Sequence, residues 1–485
     1  MANNQKKVLK WKFELNGYFE SKPLVDNNLV YMVCDEGNIY AVDIQTGKEK
    51  WVRKSREHYI TTGTNLYNPE GGVICFSAYR TLFAIDSTTG EEKWKFETDD
   101  YISSTAITKE GVVYFCDKKF LYAVDILTGE EKWRLNNEGC DMGPNNTPII
   151  SESVIYFGCY DNHLYAVDTK TGKLKWRRWI PYLNLEIRIS SSMTSSPIIS
   201  EGIIYFGCYN HSLYAADLNV QSLDNKNGWS DRLQISAEKK AKKLKELITV
   251  STEEAQKNLE DKGDIDKMVE KYEWPSREDF IENWRKRMEE FKKSIHQTPF
   301  QTQQYHAETI GISDEKLTEL LSQGATAFKT LTDASPSIKV KWQFNIGSNK
   351  EFKFDGKDFI TGTPLVAEGM VFFGSNNKHF YALDTKTGKE IWKFKTGGKI
   401  YSSPVVSDSL IYFSSDDYYL YAVDIKTGKL KFKIGIIDDE SHYLSSPVIS
   451  KSRIYFASHN STSSYLYAVD IKSARESRLE KILVS

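Results

Sequence analysis

The sequence predicts an all-β protein, an eight-bladed β-propeller of four-stranded antiparallel blades, on the strength of a repeated phrase and its period. The phrase has the form Ala-x-Asp-x-x-Thr-Gly-x-x-x-Trp and recurs along the 485-residue chain. Its Ala-x-Asp element occurs eight times, with the aspartate at Asp43, Asp86, Asp125, Asp168, Asp217, Asp384, Asp424 and Asp470. With one exception, successive aspartates lie 39 to 49 residues apart. That period, with strand-like residues between the phrases, is typical of propeller blades.

The fifth repeat shows how one blade is built. Ser195–Ser200 reads as the innermost strand, and Ile203–Cys208 alternates as a second strand does. The third strand ends in the aspartate, and in six repeats Thr-Gly follows, because a hairpin turn needs the positive φ that glycine tolerates. The fourth strand carries a tryptophan, replaced by Phe432 in the seventh repeat. We expect this flat ring to pack between adjacent blades.

The two ends of the chain complement each other. The eighth repeat lacks Thr-Gly and has no tryptophan strand after it, whereas the N-terminal strand Val8–Leu15 contains Trp11. Trp11 stands 12 residues before Pro23, the same separation as between Trp392 and Pro404. We therefore predict that the N-terminal strand completes the eighth blade and so removes the open sheet edges.

The phrase resembles the tryptophan-docking motif of the pyrroloquinoline-quinone (PQQ)-type eight-bladed propellers. That family includes quinoprotein alcohol dehydrogenases and a non-enzymatic outer-membrane assembly lipoprotein. The resemblance implies the fold over most of the chain, but the motif is a shared scaffold and implies no single function. The dehydrogenases use PQQ with Ca²⁺ beside an adjacent Cys-Cys pair, which is absent from this sequence. We therefore predict no cofactor, with PQQ and Ca²⁺ as the alternative that the resemblance leaves open.

One interval breaks the period, since Asp217 and Asp384 are 167 residues apart. The extra residues replace the Thr-Gly turn of blade five, and their composition is typical of helices. We predict propeller blades one to five at 1–219, an α-helical insertion in blade five at 220–338, and the rest of the propeller at 339–485. One predicted helix carries an apolar stripe at helical spacing, formed by Phe280, Trp284, Met288, Phe291 and Ile295. This stripe packs within the insertion or onto the propeller, or it binds a protein partner.

Charge and hydropathy exclude several classes of function. The chain has 64 basic and 66 acidic residues, a net charge of −2, so no overall field favours nucleic acid. The sequence contains no stretch of 18 apolar residues, the length needed to span a bilayer. Its N-terminus lacks the apolar segment of a signal peptide. No cysteine and histidine cluster has the spacing of a metal site. We therefore expect a cytoplasmic protein with no metal, no nucleic-acid partner and no membrane span.

The variable residues of the repeats are the connections between blades and the turns from the second to the third strand. Both lie at one end of a propeller, here called the mouth. Their polar side chains could hold an anionic or polar ligand, or they are polar because exposed turns usually are. The candidate ligand-binding residues are His58, Arg80, Asp99, Asp100, Asp161, His163, Arg188, His211, His379, Asp416, Asp439 and His442.

Three classes of function remain open. The sequence favours a non-catalytic binding or scaffold protein that holds a protein or a small polar ligand through the mouth, the helical insertion or both. The second class is an enzyme with its active site in the mouth, PQQ-dependent or of another chemistry. The third is an envelope or assembly component like the lipoprotein relative. No catalytic residue can be assigned, because the chain has neither a nucleophile elbow nor a phosphate-binding loop.

Overall fold

A computed structural model describes two long stretches of the chain, 8–218 and 338–484, with gaps. The described residues are 8–19, 21–26, 28–35, 37–54, 72–102, 104–136, 147–159, 163–180, 193–208, 211–218, 338–346, 359–436, 441–460, 463–477 and 481–484. The chain divides into two compact units, Met1–Tyr182 with Ile189–Val220 and Ile338–Ser485, and Leu183–Arg188 with Gln221–Ser337. The second unit, which includes the predicted helical insertion and its apolar stripe, lies outside the described residues.

The first unit is the predicted eight-bladed all-β propeller of four-stranded antiparallel blades. Blade one follows the N-terminal strand, and three strands are described for blade two. The strands are β1 (Leu9–Leu15), β2 (Leu24–Asp26), β3 (Leu29–Val33), β4 (Asn38–Asp43), β5 (Glu49–Lys54), β6 (Val73–Ala78), β7 (Thr81–Asp86), β8 (Glu92–Glu97), β9 (Ile107–Lys109), β10 (Val112–Cys116), β11 (Phe120–Asp125), β12 (Glu131–Asn136), β13 (Ile149–Ser151), β14 (Val154–Gly158), β15 (His163–Asp168) and β16 (Leu174–Trp179).

Blades five to eight repeat the same order of strands, and among the described residues one short helix follows the last blade. The elements are β17 (Ile198–Ser200), β18 (Ile203–Cys208), β19 (Ser212–Asp217), β20 (Lys339–Asn345), β21 (Leu365–Ala367), β22 (Met370–Gly374), β23 (His379–Asp384), β24 (Glu390–Lys395), β25 (Val405–Ser407), β26 (Leu410–Ser415), β27 (Tyr419–Asp424), β28 (Leu430–Ile436), β29 (Ser441–Leu444), β30 (Val448–Ser450), β31 (Arg453–Asn460), β32 (Ser464–Asp470), α1 (Ile471–Glu476) and β33 (Lys481–Val484). Strand β20 pairs with β19, so blade five is completed by residues far away in sequence.

The core lies between neighbouring blades. The second and third strands of each blade are buried along nearly their whole length, as in β18 and β19, whereas the short first strands are half-buried and the fourth strands expose most residues. Because the two middle strands are covered on both faces, their sequences are continuous apolar runs.

In six blades the tryptophan joins its blade to the next one, as the sequence predicts. The indole Nε1 of Trp392 donates a hydrogen bond to the Ile425 carbonyl at 3.0 Å. A Cβ added to Gly428, whose φ is +66°, would lie 2.6 Å from the ring carbons of Trp392. The flat ring therefore packs directly on the Thr-Gly turn, and only glycine fits there. The same two contacts are made by Trp11, Trp51, Trp94, Trp133 and Trp342.

The aspartate of the phrase stabilises the Thr-Gly turn. In blade seven, Oδ1 of Asp424 accepts hydrogen bonds from the backbone N–H of Lys426 and Thr427 and from the Thr427 hydroxyl, at 3.2, 3.0 and 2.9 Å. The Thr427 hydroxyl is the largest cause that lowers the pKa of Asp424 below its usual value. Oδ2 lies 3.3 Å from Nζ of Lys431 on the outer strand. The aspartate thus ties the turn to the strand that follows it.

The joint between blades seven and eight is built differently. Blade seven carries Phe432 in place of tryptophan, and after Asp470 the chain forms α1 instead of a Thr-Gly turn. Asp470 is the N-cap of this helix, since its Oδ1 accepts a hydrogen bond from the Ser473 N–H at 2.8 Å. Phe432 and Ile471 belong to one buried apolar cluster. The tryptophan and the glycine are therefore absent together, at a joint that α1 fills.

The chain termini add strands to two blades. Strand β1 pairs antiparallel with β32, with Trp11 opposite Ala468, which confirms that the N-terminal strand completes blade eight. Strand β33 pairs in parallel with β28 and extends blade seven by a fifth, outermost strand. The sequence analysis did not predict this C-terminal strand.

Candidate functional site

The mouth is the end of each blade at which the turn between the second and third strands meets the connection from the blade's own fourth strand to the next blade. Backbone hydrogen bonds hold the two together. The N–H of Ile102 donates to the Tyr79 carbonyl at 3.0 Å, and the N–H of Thr98 donates to the Arg80 carbonyl at 2.8 Å. In blade six, the N–H of Thr396 donates to the Lys378 carbonyl at 2.9 Å. These bonds make the mouth a set of fixed, paired loops.

Two tyrosines form a pair at the mouth between blades two and three. The hydroxyl of Tyr79 donates a hydrogen bond to the hydroxyl of Tyr101 at 2.8 Å, and their rings meet edge to face with centroids 4.3 Å apart. Tyr79 is 42% exposed and Tyr101 36%. Tyr79 also has a φ of +55°, a left-handed conformation that is costly for an aromatic residue. We call these two residues the tyrosine pair.

Charged side chains of both signs surround the tyrosine pair. The Lys118 ammonium lies 5.2 Å from the centre of the Tyr101 ring, within the range of a cation–π contact. The Lys119 ammonium lies 4.0 Å from Oδ2 of Asp100, whose Oδ1 accepts the Tyr101 N–H at 2.9 Å. The pair is therefore an apolar surface bordered by ions.

Exposed tyrosines are concentrated at the mouth. Among the large hydrophobic side chains that the described residues expose, four are tyrosines, and all four lie in mouth turns or connections: Tyr18, Tyr79, Tyr101 and Tyr418. The exposed aliphatic side chains lie on other parts of the blades, for example Leu127 in a Thr-Gly turn and Leu174 beside another. The sequence analysis missed these tyrosines because it searched the mouth for charged residues. Their positions in the turns could have revealed them.

A pair of carboxylates lies at the mouth of blade seven. Burial, and to a smaller extent the neighbouring Asp417, raise the pKa of Asp416 to about 6 against the opposing effect of Lys399. Oδ2 of Asp417 accepts hydrogen bonds from the Tyr421 hydroxyl and the Gly397 N–H, both at 2.6 Å. Asp417 thus has a structural role, whereas Asp416 is half-buried and accepts no hydrogen bond of this kind among those described.

Several polar residues of the mouth anchor the tyrosine of the repeated phrase. The Tyr122 hydroxyl donates to Oδ2 of buried Asp117 at 2.8 Å, as the Tyr421 hydroxyl does to Asp417. Burial followed by these carboxylates raises the pKa of both tyrosines. The observed contacts of Asp117 and Asp417 therefore support a structural role for these turn residues over a role in binding a ligand.

The predicted ligand-binding residues fall into different surroundings. Arg80 and Asp99 are exposed beside the tyrosine pair, where Asp99 lies 3.7 Å from Arg134, and Asp100 is half-buried. His211 is buried with its ring stacked on Phe359 at 5.3 Å. The remaining described candidates are half-buried: His163 beside Tyr165, His379 with a ring nitrogen 3.0 Å from the Asn377 carbonyl, and Asp416. His58, Asp161, Arg188, Asp439 and the side chain of His442 lie outside the described residues.

The structure therefore brings Arg80, Asp99 and Asp100 together around the tyrosine pair. Within the described ranges, no group of three His, Cys, Asp or Glu side chains is placed to hold a metal ion. The described part of the chain also contains no helix long and apolar enough to cross a membrane.

Comparison with known families identifies the scaffold. The family model described as outer membrane protein assembly factor BamB matches residues 2–68, 60–257 and 333–476. The chain belongs to this PQQ-type propeller family. The predicted resemblance is thus confirmed. A curated relative, the 1-butanol dehydrogenase (quinone) of Thauera butanivorans, matches with 46% identity over 43 residues, which is 9% of this chain and 7% of that enzyme. The match is about one blade long, so that enzyme's activity does not transfer with it.

Two solved structures illustrate the range of the fold. BamB from Moraxella catarrhalis matches with a TM-score of 0.56 and 12% identity, over 96% of this chain and 98% of that one. Quinohemoprotein alcohol dehydrogenase from Comamonas testosteroni matches with the same TM-score and identity, over 97% of this chain and 77% of that one. At such identities the likeness shows the fold alone.

Proposed function

We propose that the protein is a non-catalytic scaffold that binds a protein partner through its mouth, with the tyrosine pair at the centre of the contact. The observation that carries the proposal is the concentration of exposed tyrosines on mouth loops, beside ions of both signs. The family model that matches the chain is described as an outer membrane protein assembly factor. That role supports binding over catalysis for this chain as well.

The physical basis is the chemistry of tyrosine at interfaces. A tyrosine offers a large rigid ring at a low entropic cost on binding. Its hydroxyl can still form hydrogen bonds with water in the free protein. Tyr79 and Tyr101 are held to each other and to fixed backbone, so little freedom is lost on binding. Asp99 and Asp100, with Lys118 and Lys119, would form the polar rim that selects the partner by charge.

The insertion at 220–338 is proposed as a second contact with the same partner. Its argument comes from sequence alone, since the apolar stripe of Phe280, Trp284, Met288, Phe291 and Ile295 has the spacing of a helix that docks in a groove. The cytoplasmic location expected from the sequence is kept as part of the proposal.

The test is capture of partners from a native extract by the full-length protein and by single variants. We expect Tyr101→Ala to lose most of the captured partner, because a central aromatic anchor commonly contributes 2 kcal/mol or more, about 30-fold in affinity. The matched control is Leu127→Ala, which removes a similar exposed side chain, 68% exposed, from the opposite end of a blade. Equal capture by the two variants would contradict the mouth as the contact.

A second variant separates the mouth from the insertion. Replacing residues 219–338 by a Thr-Gly turn restores the regular repeat in blade five. If the insertion is a second contact, this variant captures the partner more weakly and loses the remainder when Tyr101→Ala is added. Full capture by the variant without the insertion would show that the insertion does not contact the partner. The proposed contact at the mouth would be unaffected.

The enzyme alternative receives less support. Its sequence argument is the one-blade match to a quinone-dependent butanol dehydrogenase. The sequence has no adjacent Cys-Cys pair, and among the described residues no three His, Cys, Asp or Glu side chains are placed to hold a metal ion. PQQ with Ca²⁺ stays the cofactor that this alternative would need. We derive no catalytic step from such a group.

A further inference from the structure

The outer edge of blade seven carries an added strand. Strand β33 pairs in parallel with β28, with Ile434 opposite Ile482 and Gly435 opposite Leu483. In the other blades, the outermost described strands β1, β5, β8, β12, β16, β20 and β24 end their sheets. The outermost strand of a sheet presents unpaired backbone N–H and C=O groups, to which a further strand can add. The features that distinguish β28 from the other outer strands therefore bear on strand binding.

One position of the outer strand differs between blade seven and all the other blades. It is the third residue after the tryptophan, which is Gly435 in blade seven, where Phe432 replaces the tryptophan. A charged side chain at the edge of a sheet discourages pairing with another strand, whereas glycine permits a close approach of backbone. In the other blades this position has a charged, amide or aromatic side chain: Glu14, Lys54, Glu97, Asn136, Trp179, Asn345 and Lys395.

The two lysines of β28 have partners within their own blade. The Lys431 ammonium lies 3.3 Å from Oδ2 of Asp424 in the Thr-Gly turn. The Lys433 ammonium lies 3.9 Å from the centre of the Tyr419 ring, on the neighbouring strand β27. Both charges are therefore held against the blade, and the backbone groups of β28 stay accessible to an added strand.

Strand β33 covers only part of this edge. β28 has seven residues, Leu430–Ile436, and β33 pairs with the last four of them. No described strand lies outside the backbone of Leu430, Lys431 and Phe432. Parallel pairing is slightly less stable per residue than antiparallel pairing, and segments held by few backbone bonds open most readily. A longer strand that pairs with the whole of β28 is thus able to displace β33.

The helix that precedes β33 is anchored by its own contacts. Ile471 and Ala474 of α1 are buried in the apolar cluster that also contains Phe432. Nη2 of Arg475 donates a hydrogen bond to the Asp408 carbonyl at 3.1 Å and lies 3.5 Å from Oδ2 of the same residue. These contacts hold α1 on the turn between β25 and β26 of blade seven. Release of β33 would therefore leave the joint between blades seven and eight in place.

We propose that the outer edge of blade seven is a strand-addition site for an extended segment of another protein, with a run of three or more apolar residues and no proline. In the free protein β33, with the sequence Lys-Ile-Leu-Val, occupies the edge, and the partner segment replaces it. Backbone hydrogen bonds supply most of the affinity in contacts of this kind. The edge is formed by an outermost strand and not by the mouth loops, so this contact is independent of the tyrosine pair.

The test is a fluorescence anisotropy titration with a labelled peptide of residues 478–485, Arg-Leu-Glu-Lys-Ile-Leu-Val-Ser. The 485-residue protein is compared with its double variant Ile482→Pro/Leu483→Pro, in which two adjacent prolines remove backbone N–H groups on both sides of β33 and so release it. A second variant that ends at Ser477 lacks β33 altogether. We expect one site per chain, bound about tenfold or more tightly by both variants than by the wild type, because their edge is unoccupied. Equal affinity of the wild type and both variants, or no binding by either variant, would overturn the proposal.

A matched pair of substitutions locates the bound peptide. Gly435→Lys gives β28 the side chain that Lys395 supplies in blade six, and in the released variant it should weaken peptide binding about tenfold or more. Glu97→Lys makes the same change at the equivalent position of β8 and should leave binding as it was. Hydrogen exchange checks the result in folded protein, because the peptide should restore protection to amides of Lys433–Ile436. Binding that Gly435→Lys does not weaken would place the peptide elsewhere and refute the assignment.

Analytical ultracentrifugation distinguishes another protein from a second copy of this chain. We expect the 485-residue protein and its Gly435→Lys variant to sediment with the same mass. A wild-type dimer that Gly435→Lys dissociates would show that the edge binds the strand of a second copy. That result would overturn the assignment of the site to another protein.

Discussion

The two ends of each blade differ in a way that separates stability from recognition. At one end the chain repeats the same Thr-Gly turn. The tryptophan of the preceding blade packs on its glycine, and an aspartate accepts hydrogen bonds from its backbone N–H groups. At the mouth no two turns are alike, and exposed tyrosines, lysines and aspartates occupy them. The comparison teaches that the repeated residues maintain the scaffold, so the residues that vary between blades are those to examine for function.

The largest effect is expected at the repeated end. Trp392→Ala removes a ring that is 9% exposed and the hydrogen bond to the Ile425 carbonyl. We expect the free energy of unfolding to fall by about 3–5 kcal/mol, measured by chemical denaturation. A loss below about 1 kcal/mol would show that the tryptophan joint contributes little to stability.

A matched pair of glycines isolates the contact at the joint. Gly428 and Gly111 both have positive φ, +66° and +76°, but a Cβ on Gly428 would lie 2.6 Å from Trp392, whereas a Cβ on Gly111 would meet nothing within 4 Å. Gly111→Ala should therefore cost about 1 kcal/mol from backbone strain alone. Gly428→Ala should cost about 2 kcal/mol more, because the ring must move. Equal losses in thermal unfolding would contradict the packing argument.

At the mouth, the carboxyl group of Asp416 should make the free energy of unfolding depend on pH. Its pKa is raised to about 6 in the folded protein from an ordinary 3.8, so the folded state binds the proton more tightly. The protonated form therefore stabilises the fold at low pH, and this contribution is lost as the pH rises through about 6. Asp416→Asn should raise the free energy of unfolding by about 1 kcal/mol at neutral pH, a value reduced for the partial exposure of the carboxyl group.

The pH profile gives the control for this variant. The difference between Asp416→Asn and wild type should shrink as the pH falls and vanish below the ordinary value of 3.8, where the carboxyl group is protonated in both states. A difference that is constant with pH would mean that the variant acts through packing instead of charge.

The smallest effect on stability is expected at the tyrosine pair. Tyr79→Gly loses the ring contact with Tyr101 but relieves the positive φ of +55°, and each contribution is about 1 kcal/mol. The free energy of unfolding should stay within about 0.5 kcal/mol of wild type, while binding of the partner is lost. A stability loss as large as that of Trp392→Ala would show that the mouth also maintains the fold.

The sequence predicted the scaffold well because its determinants are local and repeated. The Thr-Gly turn, the tryptophan strand and the closing N-terminal strand are all visible in short stretches. Helix α1 and the parallel strand β33 were missed because neither repeats. The replacement of tryptophan by Phe432 could be read from the sequence, but its relation to α1 became clear only when both were seen in one cluster.

The mouth was predicted only in outline. Its loops were identified correctly as the variable parts, yet the surroundings of each side chain depend on which loops meet. His211 is a turn residue, and it is buried because Phe359 of another connection covers it. Tyr79 and Tyr101 belong to different loops and form a pair only because those loops are hydrogen-bonded together.

The most direct test of this division is site-specific photo-cross-linking at the two ends of the blades. A photoreactive residue is placed at Arg80 or Asp99 beside the tyrosine pair, and in matched variants at Leu127 or Leu174 at the opposite end, each of which is exposed. The account predicts a specific cross-linked partner from the mouth positions and none from the Thr-Gly end. Cross-links to the same partner from Leu127 or Leu174, with none from Arg80 or Asp99, would contradict it.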